Sequence, residues 1–501
     1  GLSEWFVRNA ALEYGLDNIF TESIRKDLAK APKPRRKLKE LPRSACNKIL
    51  IKAAQFARPQ HTSANIQESK STFSSLLSQI LRFGIAKSVS VAKRILGMDR
   101  CHKIRAALND SLLSSFSSMT TSAPKSWAKI SEEDHGLNVI GYLGAESGMG
   151  ESARSTIRAA AAAGIPLSAI NFTHGCSSRK QEPMPLDHYN TSRHSVNVAH
   201  VNADQTPTLL RTLGPHFFSA RYNIGYWVWE TTEFPSEFLR SFECYDEIWT
   251  ASEFCRDVIM RKSPKPVMKI PHSINLNPNL NISRSSLGLP EGAFLFLTMA
   301  DFLSVPERKN PLGAIDAFVK AFGPDPKDVG LVVKISNSWY HPEIRKNILE
   351  KTTNSRSIVV IDDYMDRSSV TALISVTDCY VSLHRSEGFG LPIAEAMSLG
   401  KPVVATGWSG NMEFMDSTNS FPVKHDLVEI SLKDGPYKNA GCWAEPDCNH
   451  AAELMSYVVG NQQHAQAVGS LAKARMANEY SIDAIGGLIK DRLTWIRESM
   501  N

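Results

Sequence analysis

From residue 138 to the end of the chain, short apolar runs alternate with helix-length segments, and few architectures other than parallel α/β sheets accept that rhythm. Asn138-Val-Ile-Gly-Tyr-Leu143 reads as a buried strand. A glycine-rich turn follows, then an Ala-rich helix over 151–163 that Gly164 ends, and 165–171 restarts a strand. Strand, glycine turn, helix and strand make a βαβ unit, whose right-handed crossover implies a parallel sheet. Further strands are expected at 195–201, 223–228, 247–250 and 269–272, with a helix over 253–262 capped by Ser252. A second set begins near residue 293, with strands at 294–299, 330–335, 357–361, 379–383 and 402–405. Its helices are expected at 311–322, 344–352, 368–376, 391–399 and 451–459, and two closing helices at 465–480 and 482–499. The expected fold class is α/β: two Rossmann-like parallel-sheet domains in series, with a ligand cleft between them at the carboxyl ends of strands. A chain of 501 residues also exceeds the ~250–300 at which single cores stop growing.

The first 135 residues differ in kind. They hold 23 Lys and Arg against 12 Asp and Glu, an excess of +11, whereas the whole chain carries +6, so the remainder is acidic. A basic, proline-punctuated run (30–39), Ser-rich stretches and short apolar repeats at helical spacing suggest a helical or partly disordered extension. The expected organisation is thus an extension over 1–135, a first sheet domain over 136–275, a second over 276–470, and helices over 471–501 that pack back toward the first. Two readings of the extension stand level: contact with an anionic membrane surface or a partner enzyme, and a solvated basic linker. Nucleic acid is not an expected partner, because no binding motif accompanies the charge. No apolar run approaches the ~18 residues of a spanning helix, and the first residues lack the basic and apolar regions of a secretory leader. Gly1 in place of Met leaves open a processed form or a piece of a longer polypeptide. The eight cysteines form no Cys-x-x-Cys pair, which favours reduced thiols over zinc or a disulfide framework. A cytoplasmic protein is expected, peripheral at the inner face of the membrane if the extension docks there.

The segment with the most chemistry is 384–395, His-Arg-Ser-Glu-Gly-Phe-Gly-Leu-Pro-Ile-Ala-Glu. It leaves a predicted strand and enters a helix whose first turn holds Pro392, where a missing N–H costs nothing. The turn delivers a helix N-terminus to the cleft mouth, and amides of Phe389, Gly390 and Leu391 there suit an anion. Gly388 and Gly390 permit close backbone approach to a diphosphate. Glu387 and Glu395 then lie at different ends of one ligand, where a carboxylate can accept vicinal hydroxyls of a ribose or a sugar. Spacing alone would favour two solvated carboxylates; the strand, glycine and proline context reverses that.

This segment resembles the signature of retaining glycosyltransferases with the GT-B fold, the glycosyl transferases group 1 family, in its bacterial polysaccharide-type branch. The resemblance covers roughly 138–500. It implies that Glu387 contacts the donor sugar, that Glu395 binds the ribose, that the amides of Phe389, Gly390 and Leu391 bind phosphate, and that Ser386 and Gly388 belong to the donor site. Upstream, Arg308 and Lys309 stand where the family keeps a basic pair against the leaving diphosphate, although here the two are adjacent. Fixed cations there lower the barrier as negative charge develops. Gly148 and Gly150, in a G-x-x-x-G-x-G loop that is not the dinucleotide fingerprint, resemble the glycine loop that reaches the donor phosphate. Tyr364 and Met365 fall where relatives hold the base through backbone groups. Ser409, in Ser-Gly-Asn-Met-Glu413, falls near the donor.

On the acceptor side, Trp227, Trp229 and Glu230 in Gly-Tyr-Trp-Val-Trp-Glu could stack on a sugar and hold a hydroxyl; core packing is an equal reading. Asn202 and Asp204 are weaker candidates, and His200 reads better as a structural histidine. No Asp-x-Asp occurs, so no metal is expected, and no cofactor beyond a GDP- or UDP-linked sugar as substrate. The resemblance implies a hexosyltransferase that moves a mannose-like or glucose-like sugar to a saccharide or lipid-linked acceptor with retention. Alternatives are a GT-B-like epimerase or phosphorylase, and a non-catalytic subunit of a polysaccharide-assembly complex.

Overall fold

The computed structural model describes residues 136–500, apart from 187–189, 191, 220, 433, 434 and 439, and, ahead of them, Leu113. The readings for 1–135 otherwise lie outside the described residues. The chain divides into two compact units, residues 126–204 with 220–501, and residues 1–125 with 205–219. Of the latter, two short helices are described, Thr206–Leu213 and Pro215–Phe218.

The larger unit holds two six-stranded parallel sheets. The first contains β1 (Leu137–Gly141), β2 (Leu167–Asn171), β3 (Val196–His200), β4 (Tyr222–Tyr226), β5 (Glu247–Thr250) and β6 (Val267–Lys269), in the order β2-β1-β3-β4-β5-β6. The second contains β7 (Phe294–Asp301), β8 (Val329–Ser336), β9 (Ile358–Ile361), β10 (Cys379–Ser382), β11 (Val403–Thr406) and β12 (Phe421–Val423), in the order β12-β11-β10-β7-β8-β9. Strands such as Val-Gly-Leu-Val-Val-Lys-Ile-Ser in β8 are nearly continuous apolar runs because helices cover both faces of a parallel sheet.

Helices follow the strands. In chain order they are α1 (Gly148–Ala162), α2 (Glu253–Met260), α3 (Pro306–Lys309), α4 (Pro311–Phe322), α5 (Pro342–Thr352), α6 (Arg367–Val376), α7 (Leu391–Ser398), α8 (Cys448–Gly460), α9 (Gln462–Glu479) and α10 (Ile482–Met500). Local chemistry sets their starts: Ser147 caps α1, Ser252 caps α2 and Asp366 caps α6 through side-chain oxygens. α10 returns to the first sheet. Its Gly486 lies so close to α1 that a methyl group would meet the Ala159 carbonyl at 2.5 Å, and its Ile489 and Ile496 are buried.

Strand order reverses between β1 and β3 in the first sheet and between β7 and β10 in the second. Loops diverging at such a point open a crevice at the carboxyl ends of the strands. The loop after β7 carries Arg308 and Lys309, and the loop after β10 carries Glu387.

Several features depart from the sequence reading, among them the last strand of the first sheet, expected at 269–272 and found at Val267–Lys269. The expected strand over 223–228 stops at Tyr226, so Trp227, Trp229 and Glu230 lie in the loop beyond it. The Val228 N–H turns to the Asn202 side chain at 2.9 Å. β12 was not foreseen, and neither was the antiparallel hairpin of β13 (His425–Glu429) and β14 (Cys442–Pro446). β13 is mostly exposed and lacks the apolar alternation that marks a strand.

Candidate active site

The 383–391 loop is held in shape from both sides. Asn310 sits in the left-handed region at φ 49°, which its short polar side chain tolerates. That side chain donates to the Leu383 carbonyl at 2.9 Å and accepts the Gly313 N–H at 3.1 Å, so it caps α4 and grips the loop at once. His384 is fully buried, with Nε2 2.9 Å from Asn411 Oδ1; burial lowers its pKa and keeps the ring neutral. Ser409 takes φ 77°, a strained choice for a residue with a Cβ, and its hydroxyl accepts the Glu387 N–H at 2.9 Å. A Cβ on Gly388 would meet Val228 Cγ1 at 2.0 Å, so glycine is what lets the loop touch the first domain. There the Ser252 hydroxyl donates to the Gly388 carbonyl at 2.6 Å. Gly390, at φ 92°, then turns the chain into α7. The amides of Phe389, Gly390 and Leu391 have no acceptor among the described residues. The Phe389 ring is buried against Phe414 and His272.

The charged centre is Glu387. Its Oε1 lies 2.5 Å from Lys309 Nζ and its Oε2 lies 3.3 Å from Arg308 Nη1. Burial opposes ionisation, but Lys309 and then Arg308 outweigh it and bring the carboxyl pKa down to about 2 from 4.5. That difference is worth about 3 kcal/mol in favour of the carboxylate. The two cations diverge because neighbouring residues on the single turn of α3 point about 100° apart. Lys309 reaches the carboxylate with its side chain 16% exposed. Arg308 turns inward, 3% exposed, and donates to the Ser386 carbonyl at 2.6 Å. It therefore braces the loop, where the sequence suggested a second cation at the diphosphate. Ser386 is itself buried and donates to the Glu230 carbonyl.

Glu395 lies about one turn into α7 from the glycine turn and is 2% exposed. Burial raises its pKa, and Arg367 opposes that from 2.5 Å. The same guanidinium lies 3.6 Å from Glu151 in α1, so one arginine spans carboxylates of both domains. Glu151 also binds Arg154, whose guanidinium donates to the Leu143 and Ala145 carbonyls and shapes the glycine loop. Gly150 is pressed onto that loop, whereas Gly148 is exposed with open space where a side chain would stand. Tyr364 is 47% exposed and donates to Glu146 of the glycine loop at 2.9 Å, with the Arg179 guanidinium 3.5 Å above its ring. Burial and then Glu146 push its hydroxyl up to about 12, so it stays a donor at neutral pH. Met365 packs half-buried against the core, as does Leu391.

The acceptor-side candidates separate. Trp227 is 1% exposed within Phe234, Phe242 and Tyr245, and Trp229 packs on Phe234, Phe238 and Tyr437 while its Nε1 donates to the Glu233 carbonyl. These two rings have no face open to a sugar, which corrects the stacking role suggested for them: large aromatic rings on the strand side of the loop found partners in the core. Glu230 is instead brought to the donor centre, 3.9 Å from Arg308. Asn202 orders the loop after β4, and Asp204 is exposed. His200 is buried, bonded to the Ser152 hydroxyl at 2.8 Å and stacked on Tyr226. Burial holds its pKa well below normal, so the structural reading fits. Among the described residues, no group of three or more His, Cys, Asp or Glu side chains is placed to hold a metal ion. No helix among them is long and apolar enough to cross a membrane.

Residues 282–422, which supply both loops of this centre, match the sequence profile of the family described as glycosyl transferases group 1. The likeness to that family is carried by this segment. The fold is GT-B. Solved structures with the same arrangement include an Anabaena protein, HepE, in complex with UDP and glucose, at 14% identity and TM-score 0.54, covering 72% of this chain and all of that one. A sucrose-phosphate synthase from Thermosynechococcus elongatus matches at 14% identity and TM-score 0.54, covering 73% of this chain and all of that one. Among curated proteins, the alpha-1,3/1,6-mannosyltransferase ALG2 of Mus musculus is 24% identical over 239 residues, 44% of this chain. The matched stretch spans about half, 52%, of that relative's length.

Two residues that the group 1 signature does not announce join the centre. Arg367 follows the Asp366 helix cap, an ordinary place for a solvated arginine. Tyr437 comes from the β13–β14 hairpin, and nothing in its local sequence ties it to Glu230.

Proposed function

We propose that this chain transfers a hexose, mannose-like or glucose-like, from a nucleotide-diphosphate sugar to a saccharide or lipid-linked saccharide acceptor, with retention of anomeric configuration. The reading rests on one observation: an ionised Glu387 and a Lys309 ammonium lie 2.5 Å apart beside the glycine turn that opens α7. Lys309 and the α7 amides offer fixed positive charge to a leaving diphosphate, in a setting that needs no reorganisation as charge develops. Removing such a fixed donor typically costs about 10²–10³ in kcat. Glu387, ionised above about pH 2, accepts hydroxyls of the sugar being moved. Glu395, paired with Arg367, is assigned to the ribose hydroxyls.

In this scheme the bond from the anomeric carbon to the diphosphate oxygen lengthens first. The acceptor hydroxyl then adds from the same face, and its proton passes to the departing phosphate oxygen. No cofactor beyond the GDP- or UDP-linked donor takes part. The relatives support the class of donor: the Anabaena structure contains UDP and glucose, and the Mus musculus relative is a mannosyltransferase. The test is a panel of GDP- and UDP-sugars with oligosaccharide acceptors, read by nucleoside diphosphate release and by the anomeric proton couplings of the product. Release with product of the donor's own anomeric configuration is expected. An inverted product would remove retention, and an epimerised donor without transfer would replace the reading with an epimerase.

A further inference from the structure

The β13–β14 hairpin is fastened on both sides of the crevice. To the second domain it is tied by the Ala444 N–H on the Arg385 carbonyl at 2.9 Å and by the Arg385–Glu445 ion pair at 2.6 Å. To the first domain it is tied by the Thr232 N–H on the Cys442 carbonyl at 3.3 Å and the Cys442 N–H on the Thr232 hydroxyl at 2.7 Å. The Glu233 N–H also bonds the Ala440 carbonyl at 3.2 Å. These bonds hold Tyr437, on the loop between the two strands, in the interior beside Trp229, with ring centres 5.6 Å apart.

The Tyr437 hydroxyl donates to Glu230 Oε2 at 3.0 Å. The other oxygen of that carboxylate lies 3.9 Å from Arg308 Nη2, and Arg308 Nη1 lies 3.3 Å from Glu387 Oε2. A line of contacts therefore runs from the hairpin to the carboxylate assigned to the donor sugar, and the Arg308 guanidinium also lies 5.9 Å from the centre of the Tyr437 ring, a contact that Tyr437→Phe preserves. Lys309 stands outside it and meets Glu387 through the opposite oxygen, Oε1.

We infer that Tyr437 is a positioning residue for the sugar end of the site, acting through Glu230 and Arg308 on Glu387. The inference rests on the donor reading above. Its hydroxyl anchors one oxygen of Glu230 and so limits how closely that carboxylate draws Arg308. Without the hydroxyl, Glu230 turns onto the guanidinium and pulls it from Glu387, and the sugar-binding carboxylate loses one of its two cationic supports. The diphosphate end, held by Lys309 and the α7 amides, is left as it was.

The test is a double-mutant cycle with Tyr437→Phe and Glu230→Gln, read by nucleoside diphosphate affinity and by donor kcat and KM. Tyr437→Phe keeps the ring and its packing. It should leave diphosphate affinity within about twofold while lowering kcat/KM about tenfold, since small displacements of a positioned group are costly. In the Glu230→Gln background, where no carboxylate competes for Arg308, the same change should alter kcat/KM by less than about twofold. An equal loss in both backgrounds, or no loss in either, overturns the inference while leaving the donor reading standing. A wild-type protein that neither binds a nucleoside diphosphate nor turns over any nucleotide sugar overturns both.

Discussion

Gly388→Ala puts a single methyl group at the seam between the donor loop and the first domain. An ideal Cβ would stand 2.0 Å from Val228 Cγ1, with Cys255 Sγ and Glu230 Cγ each at 3.5 Å. Carbon atoms rest at about 3.5–4.0 Å, so one partner must retreat by roughly 1.5 Å or more. Gly388 does not have a positive φ, so backbone strain adds nothing and the clash alone sets the cost. Overpacking of this kind costs about 1–3 kcal/mol. Val228→Ala removes the clashing carbon, and for a half-buried side chain that deletion should itself cost about 1 kcal/mol. The double variant should then be more stable than the sum of the singles by at least about 1 kcal/mol. Urea unfolding measures the cycle, and calorimetric titration with UDP or GDP measures the consequence, since each 1.4 kcal/mol spent in reshaping the loop is about a tenfold loss of affinity. The reasoning fails if Gly388→Ala matches wild type in both assays, or if Val228→Ala gives no rescue, which would mean the loop and the first domain do not meet there.

Two further outcomes follow from buried charge. Burial lowers the His272 pKa to about 4, below the 6.5 of a free imidazole, so its contribution to stability is present above pH 6.5 and drains away as pH falls through 4. At pH 5 the loss is about 2 kcal/mol from this ring alone; His272→Gln should flatten the fall between pH 7 and 5 by about that amount, and an unchanged slope contradicts the assignment. Arg367→Met leaves the buried carboxylates of Glu395 and Glu151 without their shared cation and should cost about 3–5 kcal/mol of unfolding free energy. Adding Glu395→Gln should restore part of it; a cost under about 1 kcal/mol, or no restoration, would show the bridge to be incidental.

The alternation of strand and helix was legible because covered parallel strands leave no polar face to blur the pattern. The strands around Val139 and Val404 are buried throughout, and the strand around Leu331 is buried but for Ser336; all three were readable as apolar runs. The glycine turn before α7 was legible for a local reason too: Gly390 serves a backbone geometry that few other residues meet, and Gly388 stands where a side chain would clash. What the sequence could not reveal is where side chains point once loops from distant strands converge. Arg308 and Lys309 are neighbours in the chain and read as a pair, yet one turn of helix sends one inward and the other to the crevice. Trp227 and Trp229 read equally as a sugar platform or as core, and packing against Phe234 decided for the core. Arg367 and Tyr437 meet their partners across 28 and 207 residues of sequence, beyond any local signal.

The assignment on which the rest depends gives the diphosphate of a nucleotide sugar to Lys309 and the amides that open α7. It is tested most directly by titrating UDP and GDP into the wild-type chain and into Lys309→Ala, with circular dichroism to confirm that both are folded. Saturable binding of at least one nucleoside diphosphate by the wild type is expected, weakened at least tenfold in the variant. Equal affinity in the two proteins, or no binding of either nucleotide by the folded wild type, would contradict it.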